Sequence, residues 1–249
     1  MPELPEVEIQ CRNLRRWLVG RGVRLEDLDF GCGNREMRVT GVRRRGKYLL
    51  IEGKETWVLH LRMTGKVVPS RPEGRKRARF HTLQSGQAYD FEDARRLGTL
   101  AVVGVFDDSH LGPEPWPEKR NATWWRDRLR GLRSPIKPAL MRQDRVAGLG
   151  NIAASEILFR AGVDPRIRVP DVRRWKPIAD AAHAFLGELI AEEAGEEILY
   201  VTQGGSNPFR VYQRAQCPAC ATAITRLVQS GRATFFCPTC QPISPVSGR

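Results

Sequence analysis

The sequence predicts an α+β chain of several parts: a β-sandwich led by one helix, a helical domain, and a small C-terminal β-hairpin built on zinc. Three observations carry that reading. An amphipathic repeat at the N-terminus gives way to short strand-like runs with turn residues between them. Apolar residues then recur at helical spacing on both sides of a glycine turn. Finally, Cys217, Cys220, Cys237 and Cys240 stand in a C-x2-C-x16-C-x2-C pattern.

From about Pro5 to Leu18 the apolar residues Val7, Cys11, Leu14 and Leu18 share one helical face, and Gly20 and Gly22 end the pattern. Strand-like runs follow at 39–42, 48–51, 56–61, 87–91 and 100–106, with hairpin turns at Gly53-Lys54 and Ser85-Gly86. Residues 71–79, rich in Arg, Lys and Gly, read as a mobile basic loop, and the proline-bearing stretch 107–124 reads as a linker. Residues 136–141 open the helical part. Asn151 is placed to N-cap a helix that Gly162 stops, and residues 177–193 form a further amphipathic helix. The expected divisions are a β-sandwich over residues 1–120, a helical domain over 121–205, a finger over 206–241, and a tail over 242–249.

Lys and Arg number 41 against 28 Asp and Glu, a formal charge of +13, so the partner is expected to be a polyanion. Four zinc-bound thiolates would lower that charge by only two. A membrane-surface role is disfavoured because the basic residues are scattered through strands and loops and not collected on one amphipathic helix. Neither a long apolar run nor a secretory signal is evident, which points to a cytoplasmic protein. A ribosomal or other RNA-binding protein would carry the same charge.

Some chemistry can be read from the residues themselves. Once Met1 is removed, Pro2 would present a secondary amine whose pKa, near ~8 for an α-amino group, leaves part of it unprotonated at neutral pH. Glu3 beside it could move protons. A plainer account is that Pro2, Pro5 and the glutamates stiffen and cap a helix start. The turn Gly148-Leu149-Gly150-Asn151 runs into a helix N-terminus, where free N–H groups face an anion; an ordinary helix-turn-helix corner reads the same way. The four cysteines leave no open coordination position, so zinc would be structural.

The opening MPELPEVE, however, resembles the formamidopyrimidine-DNA glycosylase / endonuclease VIII family of base-excision repair enzymes, nearer its formamidopyrimidine branch. So do His60-Leu61-Arg62-Met63-Thr64-Gly65, Phe91-Glu92-Asp93-Ala94-Arg95-Arg96-Leu97-Gly98, I-K-P-x-L-M with G-x-G-N-I-x-A-S-E at 136–156, and Gly231-Arg232-Ala233-Thr234-Phe235-Phe236-Cys237. These runs occur in family order along essentially the whole chain. The resemblance implies a helix-two-turn-helix in the helical domain and one structural zinc ion on the four cysteines. It makes Pro2 the nucleophile, Glu3 its proton donor, and Glu6 the group that orients them. Lys47, in Arg43-Arg44-Arg45-Gly46-Lys47-Tyr48, and Arg232 would assist catalysis.

Met63, Arg95 and Leu97 would fill the gap left by an extruded base, which offsets part of the unstacking cost. Arg96, His81, Arg133, Lys137 and Asn151 would hold DNA. The sequence departs from the family pattern at Ala94 (proline expected), Leu97 (phenylalanine expected) and Ala153 (tyrosine expected), and its connector before the finger is short. The implied activity is that of a bifunctional DNA glycosylase and abasic-site lyase on damaged double-stranded DNA, acting as a monomer in the bacterial cytoplasm at the nucleoid. Leu97 and the short connector also fit an enzyme specialised for abasic sites or bulky adducts. A lesion-binding protein without chemistry is the reading from another class.

Overall fold

The computed structural model describes residues 2–192 and 207–243; Met1, part of the connector expected over 195–214, and the end of the tail lie outside them. Two compact units share the chain, one holding the residues up to Ser109 and the other His110–Leu189 with the residues from Asn207 onward.

The first unit begins with α1 (Leu4–Leu18), which buries Leu4, Val7, Cys11, Leu14 and Leu18. Nine strands follow: β1 (Gly22–Asp27), β2 (Arg35–Arg38), β3 (Gly41–Arg45), β4 (Tyr48–Glu52), β5 (Thr56–His60), β6 (Lys66–Pro69), β7 (Lys76–Thr82), β8 (Ala88–Glu92) and β9 (Thr99–Val103). They form a five-stranded sheet, β2-β1-β7-β8-β6, and a four-stranded sheet, β3-β4-β5-β9, with every pairing antiparallel. The sheets meet through their alternate apolar residues. Trp57 of β5 stacks on Phe80 of β7 with ring centroids 6.0 Å apart, and both are fully buried.

The expected basic loop over 71–79 needs correction, since Lys76 onward is β7. Here Ala78 and Phe80 face the core while Arg77 and Arg79 point the other way, to Asp29 and Asp90. Paired arginines gave that strand a loop-like composition. The strands expected at 39–42 and 100–106 begin and end elsewhere, at Gly41 and Val103.

In the second unit, α2 (Ala122–Leu129) starts inside the stretch expected to be linker: the Asn121 side chain accepts the Trp124 N–H at 2.8 Å and caps it. After α3 (Ile136–Leu140), α4 (Asn151–Ala161) ends at Gly162, which takes φ +63°, as the sequence predicts. The N-cap of α4 is Gly150 and not Asn151, whose side chain is engaged elsewhere. Next come α5 (Trp175–Glu192) and the hairpin of β10 (Thr225–Gln229) and β11 (Arg232–Phe236). No helix among the described residues is long and apolar enough to cross a membrane.

Candidate active site and nucleic-acid interface

α1 opens with a reciprocal capping box: the Glu6 carboxylate accepts the Glu3 N–H at 2.8 Å, and the Glu3 carboxylate turns back onto the Glu6 backbone. Pro2, Glu3 and Glu6 are all buried. Burial, and then the neighbouring Glu3 carboxylate, raise the Glu6 pKa. Glu6 therefore holds its proton more readily than a solvent-exposed carboxyl would.

Two contacts fix this helix against the sandwich. The Gln10 side chain accepts the Val67 N–H at 2.6 Å at the head of β6. Glu8, five residues or roughly 7.5 Å along the helix from Glu3, takes Arg44 Nε at 3.0 Å, and Arg44 also donates to the Gly46 carbonyl at 3.0 Å. Arg44 thereby ties the turn that carries Lys47 to the start of α1. Its side chain is only 5% exposed, so this is a shielded pair, unlike the solvated charge run that Arg43-Arg44-Arg45 suggests.

Strand register gathers three of the expected loops. Tyr48 of β4 lies opposite His60 of β5, and His60 opposite Thr99 of β9. The Lys47 turn, the Leu61–Gly65 turn and the loop over 93–98 consequently leave the four-stranded sheet at one end. His60 meets the Tyr48 ring edge-on at 4.8 Å, and its Nδ1 accepts the Arg62 N–H at 3.1 Å. Burial, helped by the charges of Arg62 and Lys47, pushes its pKa down to about 4. It is neutral at physiological pH.

Asp93 binds two of these loops together. Fully buried, its carboxylate accepts the Thr64 hydroxyl, the Arg95 N–H at 3.2 Å and the Gly98 N–H at 2.6 Å, with Arg77 Nη1 3.6 Å away. Burial opposes its charge, but these hydrogen bonds outweigh that cost and hold its pKa below the ordinary range. Gly65 and Gly98 permit the approach: a Cβ at either would stand 2.9 or 2.8 Å from the Phe91 ring. Met63 is half-buried, while Arg95, Arg96 and Leu97 are exposed. Arg96, at φ +55°, pairs with Asp29, which also takes Arg77 Nε.

His81 does not join this group. It pairs with Glu26 at 3.0 Å, four residues along β7 from Arg77, roughly 13 Å at strand rise.

In the second unit Lys137 is 1% exposed, and its Nζ reaches Asn151 Oδ1 at 2.5 Å, Thr234 Oγ1 at 2.9 Å and the Ala233 carbonyl at 3.1 Å. Asn151 Nδ2 donates to the same carbonyl at 3.0 Å. Exposed Arg232 adjoins that carbonyl, at the hairpin tip after Ser230 and Gly231, both at positive φ. Buried Glu156 accepts the N–H groups of Arg210, Val211 and Tyr212, which sets the chain entering the finger. Arg133 stands apart, lining a cavity beside the end of α2.

The four Sγ atoms of Cys217, Cys220, Cys237 and Cys240 lie within 4.8 Å of one another, with three pairs at 3.5–3.7 Å. A tetrahedron with Zn–S near 2.3 Å has S···S edges of about 3.8 Å. The donor set fits zinc.

Comparison with known proteins accounts for both units. Residues 1–100 match the formamidopyrimidine-DNA glycosylase N-terminal domain, 111–202 the formamidopyrimidine-DNA glycosylase H2TH domain, and 216–243 the zinc finger found in FPG and IleRS. The formamidopyrimidine-DNA glycosylase of Paracoccus denitrificans is 37% identical, over 97% of this chain and 100% of that protein. The chain belongs to the formamidopyrimidine-DNA glycosylase (Fpg) family. The Burkholderia ambifaria Fpg is 36% identical over the same shares. The crystal structure of MutM (Fpg) from Thermus thermophilus superposes with a TM-score of 0.81 at 33% identity, over 98% of this chain and 100% of that one. Lactococcus lactis Fpg, in complex with DNA containing N7-benzyl-Fapy-dG, gives 0.84 at 28%, over 97% and 100%.

As a member of this family, the chain has a four-cysteine site for one structural zinc. The residues that reasoning from sequence alone missed are the ones that position others: Arg44, Glu8, Gln10, Asp93, Asn121 and Glu156. Asp93 sits inside the 91–98 motif, but the burial that marks it out is not written in the sequence.

Proposed function

We propose that the chain is a bifunctional DNA glycosylase and abasic-site lyase of base-excision repair, acting on damaged double-stranded DNA as a monomer in the bacterial cytoplasm. Residues 1–120 form its catalytic domain, 121–205 the helix-two-turn-helix domain, 206–241 the finger and 242–249 a tail. The observation that carries the reading is the buried Glu3–Glu6 pair at the start of α1, which fixes the end of the chain beside a carboxyl group able to hold a proton.

With Met1 removed, the Pro2 nitrogen attacks C1′ of the extruded nucleotide. The N–C1′ bond forms as the base departs with the glycosidic electron pair, and the amine gives up its proton. Glu3 protonates the sugar ring oxygen, the ring opens, and an iminium remains. That cation acidifies C2′; loss of its proton expels the 3′ phosphate, and a second elimination expels the 5′ phosphate. Lys47, Met63, Arg95, Arg96 and Leu97 engage the opened duplex around the lesion. Lys137, Asn151, Arg133 and His81 hold backbone phosphates, and Arg232 grips those beside the lesion. Zinc holds the finger hairpin and takes no part in the chemistry.

Incubation with duplexes bearing 8-oxoguanine, formamidopyrimidine, oxidised pyrimidines or an abasic site tests this reading. Base release from at least one damaged duplex, followed by strand nicking, is the expected result. Nicking of abasic duplex alone would reduce the activity to a lyase, and tight lesion binding with no nicking anywhere would overturn it.

A further inference from the structure

Within the second unit a cavity of about 630 Å³ opens between the end of α2, the connection over 130–133, the turn over 169–171 and the start of α5. Its volume is in the range of small-ligand sites. Arg126, Arg130, Arg133 and Arg173 line it and are all exposed; Asp127 is the single lining acid, so the wall carries a formal excess of three positive charges. Arg126 Nε approaches Asp127 at 3.6 Å and Arg173 donates to the Pro170 carbonyl at 3.1 Å, while Arg130 and Arg133 have no acidic partner among the described residues. The floor is apolar: Leu132, Val169, Val172 and the half-buried ring of Trp175.

We propose that this cavity is a binding site for an unpaired nucleotide, with its phosphate among Arg126, Arg130 and Arg173 and its base against Trp175 and the aliphatic floor. Guanidinium groups bind phosphate through paired, charge-assisted hydrogen bonds. A base offers a flat face to an aromatic ring, as in single-strand binding. The backbone of intact duplex would satisfy the arginines but leave the apolar floor uncovered, because its bases are stacked inward. The ligand is therefore a nucleoside phosphate, supplied either free or as part of a single strand. The site lies in the second unit alone and does not depend on the proposed chemistry at Pro2.

The test uses the zinc-loaded full chain and nuclear magnetic resonance of the Trp175 indole N–H and the Leu132 and Val172 methyls, titrated with deoxyadenosine monophosphate, with a short oligo-deoxyadenylate, and with inorganic phosphate. Saturable shifts of these resonances with the mononucleotide, not reproduced by inorganic phosphate, are expected. Tighter binding of the oligonucleotide at the same resonances would identify a strand as the source, and equal affinity a free nucleotide. The pair Arg126→Ser/Arg173→Ser should weaken binding roughly tenfold or more while keeping the parent's thermal transition and dispersed amide spectrum, which shows that it is folded. Absence of saturable shifts, identical shifts with inorganic phosphate, or unaltered affinity in the arginine pair variant would each overturn the proposal.

Discussion

Replacing Asp93 with alanine should both destabilise the first unit and disorganise the loops that carry Met63, Arg95 and Leu97. The Asp93 carboxylate has no solvent contact and accepts from Thr64, Arg95 N and Gly98 N. Hydrogen bonds to a charged group contribute about 1.5–3 kcal/mol each, and a buried donor left unmade costs about 1–3 kcal/mol. Thr64 and Arg95 can turn to water after truncation, but Gly98 N is buried. Arg77 retains Asp29 Oδ2 at 2.5 Å and the Gly98 carbonyl at 2.6 Å, so it is not stranded.

The net loss is therefore on the order of 3 kcal/mol, enough to lower the melting of a unit this size by roughly 10 °C. Asp93→Asn preserves shape and loses charge, so it should cost nearer about 1 kcal/mol. Because the folded-state pKa of Asp93 is depressed, its contribution is full above the unfolded value near ~3.9 and disappears as pH falls through the lower folded value. The asparagine variant should lack that acid-dependent component. Scanning calorimetry gives the stabilities, and incision of a lesion duplex gives the functional loss, expected as lower kcat together with higher KM. An alanine variant within about 0.5 kcal/mol of the parent, with unchanged incision, would refute the role assigned to this carboxylate.

Other outcomes follow from the same geometry. His60→Gln should flatten stability against pH between about 6.5 and about 4: the folded histidine stays neutral while the unfolded one gains a proton, so acidification costs the parent up to ~1.4 kcal/mol per pH unit in that window. Lys137→Met keeps the stem but removes three hydrogen bonds to Asn151, Ala233 and Thr234; duplex affinity should fall at least roughly tenfold, with a shallower salt dependence on fluorescence anisotropy. A zinc chelator, or Cys237→Ser, should unfold the β10–β11 hairpin and abolish tight duplex binding while the thermal transition of the first unit stays in place. Arg44→Met should lower lesion incision by loosening the Lys47 turn, and an unaltered rate would show that Glu8 and Arg44 do not position it.

Much of this was legible from residue patterns. The 3.6-residue repeat of α1, the glycine stop at Gly162 and the cysteine spacing each reflect a local rule, and the structure follows them. Lys47, Met63 and Arg95 to Leu97 could be named from motifs, yet only the register Tyr48–His60–Thr99 explains why loops so distant in sequence leave one end of one sheet. β7 was hidden because Arg77 and Arg79 alternate with Ala78 and Phe80 and find the half-buried Asp29 and the buried Asp90, a long-range pairing that composition cannot reveal. Asn151 invited a capping role by residue type. Lys137 and the Ala233 carbonyl compete for its side chain, and Gly150 takes the cap.

Borohydride reduction of the protein with an abasic-site duplex, followed by mass spectrometry of the trapped peptide, tests the central chemistry most directly. A covalent adduct on the nitrogen of Pro2, in chains shown to have lost Met1 and absent from Pro2→Gly, is the predicted result. An adduct on a lysine, or strand cleavage by fully processed protein with no trappable adduct, would contradict it.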